Sequence, residues 1–245
     1  MVINVKFEPM NGGATYTNFI ESYWEWLLGT DPDSSQPAPG NVTYMRANYQ
    51  YGERWRQPAP PAVAGMAAAD PPSRKNTITE YPTPGIPGSS QGLAIPHNVL
   101  NVIFLPVIDS MLGKTDFDED GNPMPNAIVE NILESENNEA VNCLISPTIE
   151  KLSPKPEPRQ EILSRDQLLA QRSPRYSFQL NVPPNSKLAS KMEDAIPAGL
   201  SDQVTVQGFY LKFTIGDPGM YIVESHARGV RGYRADMRYY FKVEP

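Results

Sequence analysis

Alternating apolar and polar residues dominate the last third of the chain and predict β-strands there. Apolar side chains occupy every second position in two runs, Tyr176, Phe178, Leu180 and Val182, and then Met237, Tyr239, Phe241 and Val243. Two further strand-like runs, 203–215 and 220–226, are joined by the turn sequence Gly216-Asp217-Pro218-Gly219. Because successive side chains of a strand point to opposite faces, each strand has one apolar and one polar face. The pattern predicts an antiparallel β-sandwich.

A continuous apolar run at 99–108 predicts a strand that is buried on both faces. We expect Pro106 to end this strand, because proline lacks the N–H group that a strand ladder requires. A shorter strand is expected at 42–45. These two segments would add to the sandwich ahead of the C-terminal strands.

Two segments have the spacing of amphipathic helices. In the first, Asn18 and Glu21 have capping-box spacing, and Gly29 is a typical helix end. Its apolar face comprises Ile20, Tyr23, Trp24, Leu27 and Leu28. In the second, Asn126 is the predicted N-cap. Its inward side comprises Val129, Ile132, Leu133 and Ala140, whereas Glu130, Glu134 and Glu136 are expected to face water.

Composition adds long proline-rich loops to this picture. Proline accounts for 26 of 245 residues, about twice its average usage, and many of these prolines lie within 30–92. The predicted fold is mainly β: an antiparallel sandwich, Ig-like or jelly-roll-like, with long proline-rich loops and two short helices. We expect residues 1–245 to form a single domain, with loops inserted at 30–92 and an acidic loop and helix at 111–140.

Net charge and motifs narrow the classes of function. The net charge of −7 makes nucleic acid an unlikely partner, because nucleic-acid binders neutralise phosphates with Lys and Arg. The charge is uneven: residues 101–150 contain ten acids and one base, whereas residues 208–245 contain six bases and four acids. No phosphate-binding glycine motif is present, so we expect no nucleotide cofactor. No apolar run reaches the length of about 18 residues that a membrane span requires.

The N-terminus and the single cysteine give information about the cellular location. Cys143 excludes an internal disulfide and is expected to be a small buried residue. The N-terminus lacks the features of a signal peptide. The chain as written is therefore expected to be cytoplasmic, or to have lost a leader.

Six short segments resemble features of one known family. They are 24–29, Ile95-Pro96 leading into 103–108, 173–178, 207–211, 218–223 and 237–243. The chain is similar to a family of uncharacterised bacterial and archaeal proteins, mostly predicted to be secreted. The hallmarks of that family are a tryptophan-rich helix, a proline-bounded "IP…FFPV" strand and a C-terminal Ig-like "PGxHxI" hairpin. The resemblance implies a β-sandwich and a secreted or cell-surface location, and it implies no activity.

An acidic loop is the strongest chemical signal in the chain. Its alternating oxygen donors are Asp116, Asp118, Asp120 and Asn122. Such a loop, with Gly121 permitting a sharp turn, is typical of Ca²⁺ binding. An EF-hand needs a bidentate glutamate at the twelfth position, where this chain has Ala127, so a calcium site would need distant oxygens from Asp109, Glu130 or Asn126. The alternative is a solvated acidic turn before a helix.

Aromatic and arginine residues are interleaved in segment 44–56. The candidate ligand-binding residues are Tyr49, Tyr51, Arg54, Trp55 and His97. Aromatic rings can stack on a sugar while a guanidinium group hydrogen-bonds its polar edge, so a saccharide is a candidate ligand. The alternative is packing in the core, which uses the same residue types.

Arginines at a predicted hairpin tip form the third candidate site. Arg228, Arg231 and Arg234 are separated by glycines and could bind an anion or an acidic protein partner. One variant is self-association, in which this tip meets the acidic region 116–136 of a second copy. The alternative is that these arginines only increase solubility.

The sequence favours a non-catalytic surface, assembly or ligand-binding protein with a structural calcium site. Two alternatives stay open. The first is an enzyme that acts on a small or saccharide substrate in a cleft near Trp24, Arg54 and His97. The second is a subunit of a virion or another assembly.

Overall fold

A computed structural model describes residues 3–8, 14–29, 42–45, 79–81, 93–95, 102–113, 126–186, 199, 201–228 and 234–243, and the structural statements below concern these residues. They form three helices, α1 (Ala14–Gly29), α2 (Asn126–Cys143) and α3 (Arg165–Leu169). They also form eleven strands, β1 (Val5–Phe7), β2 (Val42–Tyr44), β3 (Thr79–Tyr81), β4 (Leu93–Ile95), β5 (Val102–Gly113), β6 (Thr148–Ser153), β7 (Glu157–Glu161), β8 (Tyr176–Asn181), β9 (Ser201–Ile215), β10 (Gly219–Arg228) and β11 (Arg234–Val243).

The strands are arranged in two sheets. The first sheet has the order β1-β9-β5-β2, and β8 pairs with β9 on the same edge as β1. The second sheet has the order β3-β11-β10-β6-β7, and β4 follows β3 along the edge of β11. The pairing is antiparallel except for β2 with β5, and for β3 and β4 with β11. This mostly antiparallel arrangement of two sheets confirms the predicted fold class.

An apolar core lies between the two sheets. The first sheet contributes Ile103, Leu105, Val107, Phe209, Leu211 and Phe213, and the second contributes Ile149, Tyr221, Val223, Met237, Tyr239 and Val243. Each set occupies alternate positions of its strands, as the sequence pattern predicts. The alternation at 176–182 is confirmed as well, since Phe178, Leu180 and Val182 are buried.

The α2 helix packs against β5, β9 and β10. Its predicted inward residues Leu133 and Ala140 are buried, whereas the side chains of Val129, Ile132 and Glu136 lie outside the described set. In the part of the chain that the structure describes, no helix has both the length and the apolar character needed to cross a membrane.

The α1 helix covers the outer face of the first sheet. Its buried residues are Ile20, Tyr23, Trp24, Trp26, Leu27 and Leu28, which confirms the predicted apolar face. They pack with Phe104 of β5 and Tyr210 of β9, in a cluster separate from the core between the sheets. Phe104 stacks with Phe19 and Tyr210, at ring-centroid distances of 5.9 Å and 5.5 Å. The first sheet is therefore buried on both faces.

The predicted start of α1 was wrong. The helix begins at Ala14, four residues before Asn18, although it ends at Gly29 as predicted. Asn18 lies on the exposed side of the helix. An asparagine at an exposed interior position costs less than about 0.7 kcal/mol relative to alanine, so one more turn forms despite the capping signal.

Pro106 does not end β5, contrary to the sequence prediction. The strand continues to Gly113 and pairs with β9 throughout, with a register shift between Pro106 and Ile108. The parallel pairing of β2 with β5 ends at Phe104. Pro106 lies beyond the end of that pairing, so its missing N–H removes no hydrogen bond to a paired residue of β2. A bulge of this kind inserts one residue and changes which face the following side chains occupy. Leu105 therefore faces the core between the sheets, whereas Met111 packs in the α1 cluster.

The turn at 216–219 carries the chain from one sheet to the other. β9 belongs to the first sheet and β10 to the second, so the two strands that flank the turn do not pair. Gly219 has φ +153°, and a Cβ atom there would clash with the carbonyl oxygen of Ser153. This close approach of two backbones requires glycine.

Three elements after α2 were not predicted, namely β6, β7 and α3. One residue of β7 connects the edges of the two sheets. The Gln160 side chain accepts a hydrogen bond from the Ile3 N–H and donates one to the Ile3 carbonyl, both at 3.1 Å. Ile3 precedes β1 of the first sheet, so this amide contacts both sheets.

Candidate binding site on the second sheet

The outer face of the second sheet carries polar and charged side chains. In β10, Tyr221 and Val223 point into the core between the sheets. Alternation places Ile222, Glu224 and His226 on the opposite face. The strand that fills the core therefore also presents a carboxylate on the outer face.

Glu224 is the centre of a compact ion-pair cluster. Its side chain is only 4% exposed, whereas those of Arg159 and Arg238 are 48% and 28% exposed. The Nε and Nη2 atoms of Arg238 lie 2.8 Å and 2.7 Å from Glu224 Oε1, and Arg159 Nη1 lies 2.7 Å from Oε2. His226 Nε2 is 3.9 Å from the same Oε2. Arg159, Glu224 and Arg238 are called the Glu224 cluster below.

The Glu224 cluster joins three strands. Glu224 and Arg238 are Cα partners in β10 and β11, so their contact is a cross-strand pair. Arg159 comes from β7, which is separated from β10 by β6, so its side chain reaches across one strand. On the way, its Nη2 atom lies 3.5 Å from Glu150 Oε2 of β6. The two guanidinium groups thus flank one carboxylate.

Beyond this cluster, β10 and β11 continue as a two-stranded arm. The pairing of β10 with β6 ends at Glu224, whose partner is Thr148. On the other side of the hairpin, β3 and β4 pair only with Met237 and later residues of β11. Three further rungs have no other described strand beside them. They pair His226 with Asp236, Ala227 with Ala235, and Arg228 with Arg234. We call these three rungs the arm.

The structure places the predicted partner-binding arginines as follows. Arg228 and Arg234 are Cα partners at the outermost rung of the arm, which confirms that they flank a hairpin tip. Arg231 lies outside the described residues. Glu224 and Arg238 of the Glu224 cluster lie on the same hairpin, four rungs further in.

The other predicted site residues lie outside the described part of the chain. These are the metal candidates Asp116, Asp118, Asp120 and Asn122, and the ligand candidates Tyr49, Tyr51, Arg54, Trp55 and His97. Among the residues that the structure does describe, no group of three or more His, Cys, Asp or Glu side chains is placed to hold a metal ion. The calcium and saccharide sites therefore stay predictions.

Two of the distant oxygen donors considered for calcium have other contacts. Asp109 Oδ2 accepts a hydrogen bond from the Tyr210 hydroxyl at 3.1 Å. Glu130 Oε2 lies 3.4 Å from Arg175 Nη1. A calcium ion that used either carboxylate would have to compete with these groups.

Of the three residues predicted to line an enzymatic cleft, Trp24 is described, and it is part of the core. Trp24 is 2% exposed and packs in the α1 cluster, so its ring is not presented to a substrate.

Two buried tyrosines have raised pKa values. Burial raises the pKa of Tyr44. Burial, and to a smaller extent the charges of Asp217 and Glu157, raises the pKa of Tyr221 to about 12. Acid–base catalysis works best with a pKa near the operating pH, and both phenols are shifted further from it.

Part of the acidic region is paired within the chain. On α2, Glu130 contacts Arg175 and Glu134 contacts Arg172, at 3.4 Å and 3.3 Å. Arg172 also donates to Asn138 at 2.9 Å. A basic tip from a second copy would therefore compete with internal arginines at these two glutamates.

Comparison with known proteins gives no relative: no family model, no curated protein and no solved structure matches the chain. The resemblance drawn from short sequence segments therefore stays a prediction.

Sequence reasoning missed the Glu224 cluster. Glu224 stands at an outward position of a predicted strand, where a charged residue is expected in any case. Arg159 lies in β7, a strand without an alternating apolar pattern. Only the register between β7, β10 and β11 brings the three side chains together, and that register is not visible in the sequence.

Proposed function

We propose that the protein is a non-catalytic binding or assembly protein that attaches to an acidic partner through the β10–β11 arm. The observation that carries the proposal is the extension of this hairpin beyond the described strands that flank it, with Arg228 and Arg234 as Cα partners at its outermost described rung.

The limited stability of a two-stranded hairpin supports this role. A two-stranded β-ribbon is at best marginally stable in water, and it gains stability when it packs against something else. Here the base of the arm is anchored in a six-stranded sheet, so that end is held in place. A partner that packs against the arm would supply contacts that the arm's own rungs do not.

The charges on the arm indicate the chemistry of the partner. Arg228 and Arg234 are Cα partners at the last described rung, and like charges at paired positions weaken a strand pair. Carboxylates from a partner would offset two such positive charges, because they form bidentate contacts with guanidinium groups. The C-terminal region 208–245 has six bases and four acids in a chain whose net charge is −7, so the arm is a basic feature of an acidic protein.

The proposal is tested by measuring the binding of poly-L-glutamate to the whole chain by fluorescence anisotropy at several salt concentrations. We expect the double variant Arg228→Gln/Arg234→Gln to lose at least about tenfold in affinity, and the affinity of the wild type to fall as salt rises. Light scattering on the same samples shows whether a second copy is the partner.

A matched control is the double variant Arg172→Gln/Arg175→Gln, which removes two arginines from the α2 side of the molecule. It should keep the wild-type affinity for poly-L-glutamate. Equal losses in both double variants, or no saturable binding by the wild type, would refute the role of the arm.

A further inference from the structure

A buried carboxylate at one end of the second sheet has an oxygen without a partner. Glu157 belongs to β7 and is only 9% exposed. Its Oε2 atom is buried, and no described residue forms a hydrogen bond with it. A buried charge that has lost its hydration and gained no partner is strongly unfavourable. Glu157 therefore needs a compensating group beyond the described contacts.

The strand register shows which way this carboxylate points. Glu157 in β7 is the Cα partner of Lys151 in β6, and Lys151 is the Cα partner of Tyr221 in β10. Paired residues share one face of a sheet, and Tyr221 faces the core between the sheets. Glu157 is therefore on the inner face, at the end of the sandwich where the 216–219 turn crosses from one sheet to the other.

Other oxygen atoms lie near this position. The Tyr221 hydroxyl donates to the Asp217 carbonyl at 2.6 Å, so the phenol reaches the turn. After burial itself, the charges of Asp217 and Glu157 are the groups that raise the pKa of Tyr221, so both carboxylates act on the same phenol. The hydroxyl uses its proton in the bond to Asp217 and keeps its lone pairs as acceptors. Two carboxylates and a phenol oxygen thus lie at one end of the core.

The basic residue of this row is engaged elsewhere. The Lys151 ammonium group lies over the Tyr221 ring, 5.5 Å from its centroid, and the described contacts include no ion pair between Lys151 and Glu157. Within this row and the 216–219 turn, two carboxylates and one ammonium group sum to −1. Lys155, in the turn between β6 and β7, is exposed, so solvent screens its charge. The net charge favours a cation.

We propose that Glu157 binds a monovalent metal cation, Na⁺ or K⁺, at this end of the sandwich. Glu157 Oε2 is the charged ligand, and the Tyr221 hydroxyl, the Asp217 side chain and water supply the remaining oxygens. One positive charge balances the net charge of −1. A divalent ion is usually held by more carboxylates, and the described residues contain no group of three acidic side chains placed for one. The site uses no residue of the arm, so it does not depend on the function proposed there.

The test compares melting curves of the whole chain in the chlorides of sodium, potassium and N-methyl-D-glucamine. Equal ionic strength keeps general screening the same in all three salts. We expect the midpoint to rise in Na⁺ or K⁺ relative to the organic cation and to saturate with concentration, because only the folded protein contains the site. The line width of the ²³Na resonance, with K⁺ as competitor, measures the affinity.

Three variants identify the ligand. Glu157→Gln should weaken cation binding by about tenfold or more, because it removes the charged oxygen. Lys151→Gln should strengthen binding about two- to fivefold, because it removes a competing positive charge, and a gain of affinity cannot come from partial unfolding. The matched control is Glu161→Gln, which replaces an exposed glutamate at the other end of β7 and should have no effect.

A measurement without metal cations separates a ligand from a carboxylate that the protein itself compensates. In N-methyl-D-glucamine chloride, Glu157→Gln should melt no lower than the wild type, because it removes an unpaired buried charge. A lower midpoint would overturn the proposal. Equal cation affinity in the wild type and Glu157→Gln, or equal midpoints of the wild type in all three salts, would overturn it as well. A larger saturable effect of Ca²⁺ that Glu157→Gln abolishes would assign the site to a divalent ion instead.

Discussion

The two sheets differ in what lies on their outer faces. On the first sheet, α1 packs Tyr23, Trp24 and neighbouring side chains onto Phe104 and Tyr210, so that face is an apolar core. On the second sheet, the corresponding face carries Glu224 with its two arginines. Because apolar burial is the main source of stability, the first sheet should carry more of the folding energy, and the second sheet should offer the polar groups used for binding.

The largest effect should come from the outer face of the first sheet. Phe104 is fully buried and contacts four aromatic rings, those of Phe19, Tyr23, Tyr44 and Tyr210. Phe104→Ala should lower the free energy of unfolding by about 3–5 kcal/mol, because it leaves a cavity between α1 and the sheet. Urea denaturation monitored by tryptophan fluorescence measures this loss.

The control for this substitution is an apolar residue of the second sheet. Leu152 in β6 is 37% exposed, so Leu152→Ala should cost about 1 kcal/mol or less. If the two substitutions destabilise the protein equally, the contrast between the sheets is wrong.

An intermediate effect is expected at the Glu224 cluster. Glu224→Ala removes the acceptor of three charge-assisted contacts and should cost about 1–3 kcal/mol, because the exposed arginines can regain water. The matched variant is Glu130→Ala, whose side chain is 53% exposed in its pair with Arg175 and whose loss should cost about 0.5 kcal/mol or less. Thermal and urea unfolding of both variants measure the two losses. A Glu224→Ala protein as stable as the wild type would show that the cluster does not stabilise the fold.

The inner face of the second sheet gives a pH-dependent prediction. Burial, with smaller effects from Asp217 and Glu157, raises the pKa of Tyr221 from its ordinary 10.0 to about 12. The unfolded chain then releases this proton at a lower pH than the folded chain does. The stability that Tyr221 contributes is therefore complete below pH 10 and is lost as the pH rises from about 10 to 12.

Tyr221→Phe should reduce the loss of folding stability between about pH 10 and 12. The phenylalanine also lacks the hydroxyl that donates to the Asp217 carbonyl at 2.6 Å, so at neutral pH it should cost about 1 kcal/mol. Midpoints of urea unfolding from pH 8 to about pH 11 test both statements. A wild type and a variant with parallel pH profiles would show that Tyr221 does not titrate in this way.

The smallest effect expected is that of calcium. The loop with Asp116, Asp118, Asp120 and Asn122 connects β5 of the first sheet to α2. If its Kd for calcium is in the millimolar range of weak sites, 5 mM Ca²⁺ should stabilise the fold by about 1 kcal/mol. Melting curves with Ca²⁺, with Mg²⁺ as the control and then with EDTA, measure it. A melting temperature that does not change with Ca²⁺ would leave the solvated acidic turn as the explanation.

The strands that the sequence predicted correctly are those with one apolar and one polar face. Periodicity is visible there because burial differs between successive residues, as in β8, where Phe178 and Leu180 are buried and their neighbours exposed. β7 could not be found in this way, because its residues are Glu-Pro-Arg-Gln-Glu and only Glu157 is buried. Pro106 misled the prediction because a bulge and a short neighbouring strand make its missing N–H harmless.

The candidate site was predictable only in part. Arg228 and Arg234 could be placed at a hairpin tip, because glycines between two alternating runs indicate a turn. The Glu224 cluster could not be predicted, because it depends on which strands are neighbours. Arg159 and Glu224 are 65 positions apart in the chain, and no local pattern relates them.

The contact of Gln160 with Ile3 should reduce the association of molecules at high concentration. Unpaired N–H and C=O groups along a sheet edge can recruit strands from other molecules, which begins aggregation. At Ile3 both groups are already occupied by one side-chain amide. A glutamine side chain thus takes the place of a strand partner just before β1, and we expect it to disfavour edge-to-edge aggregation there.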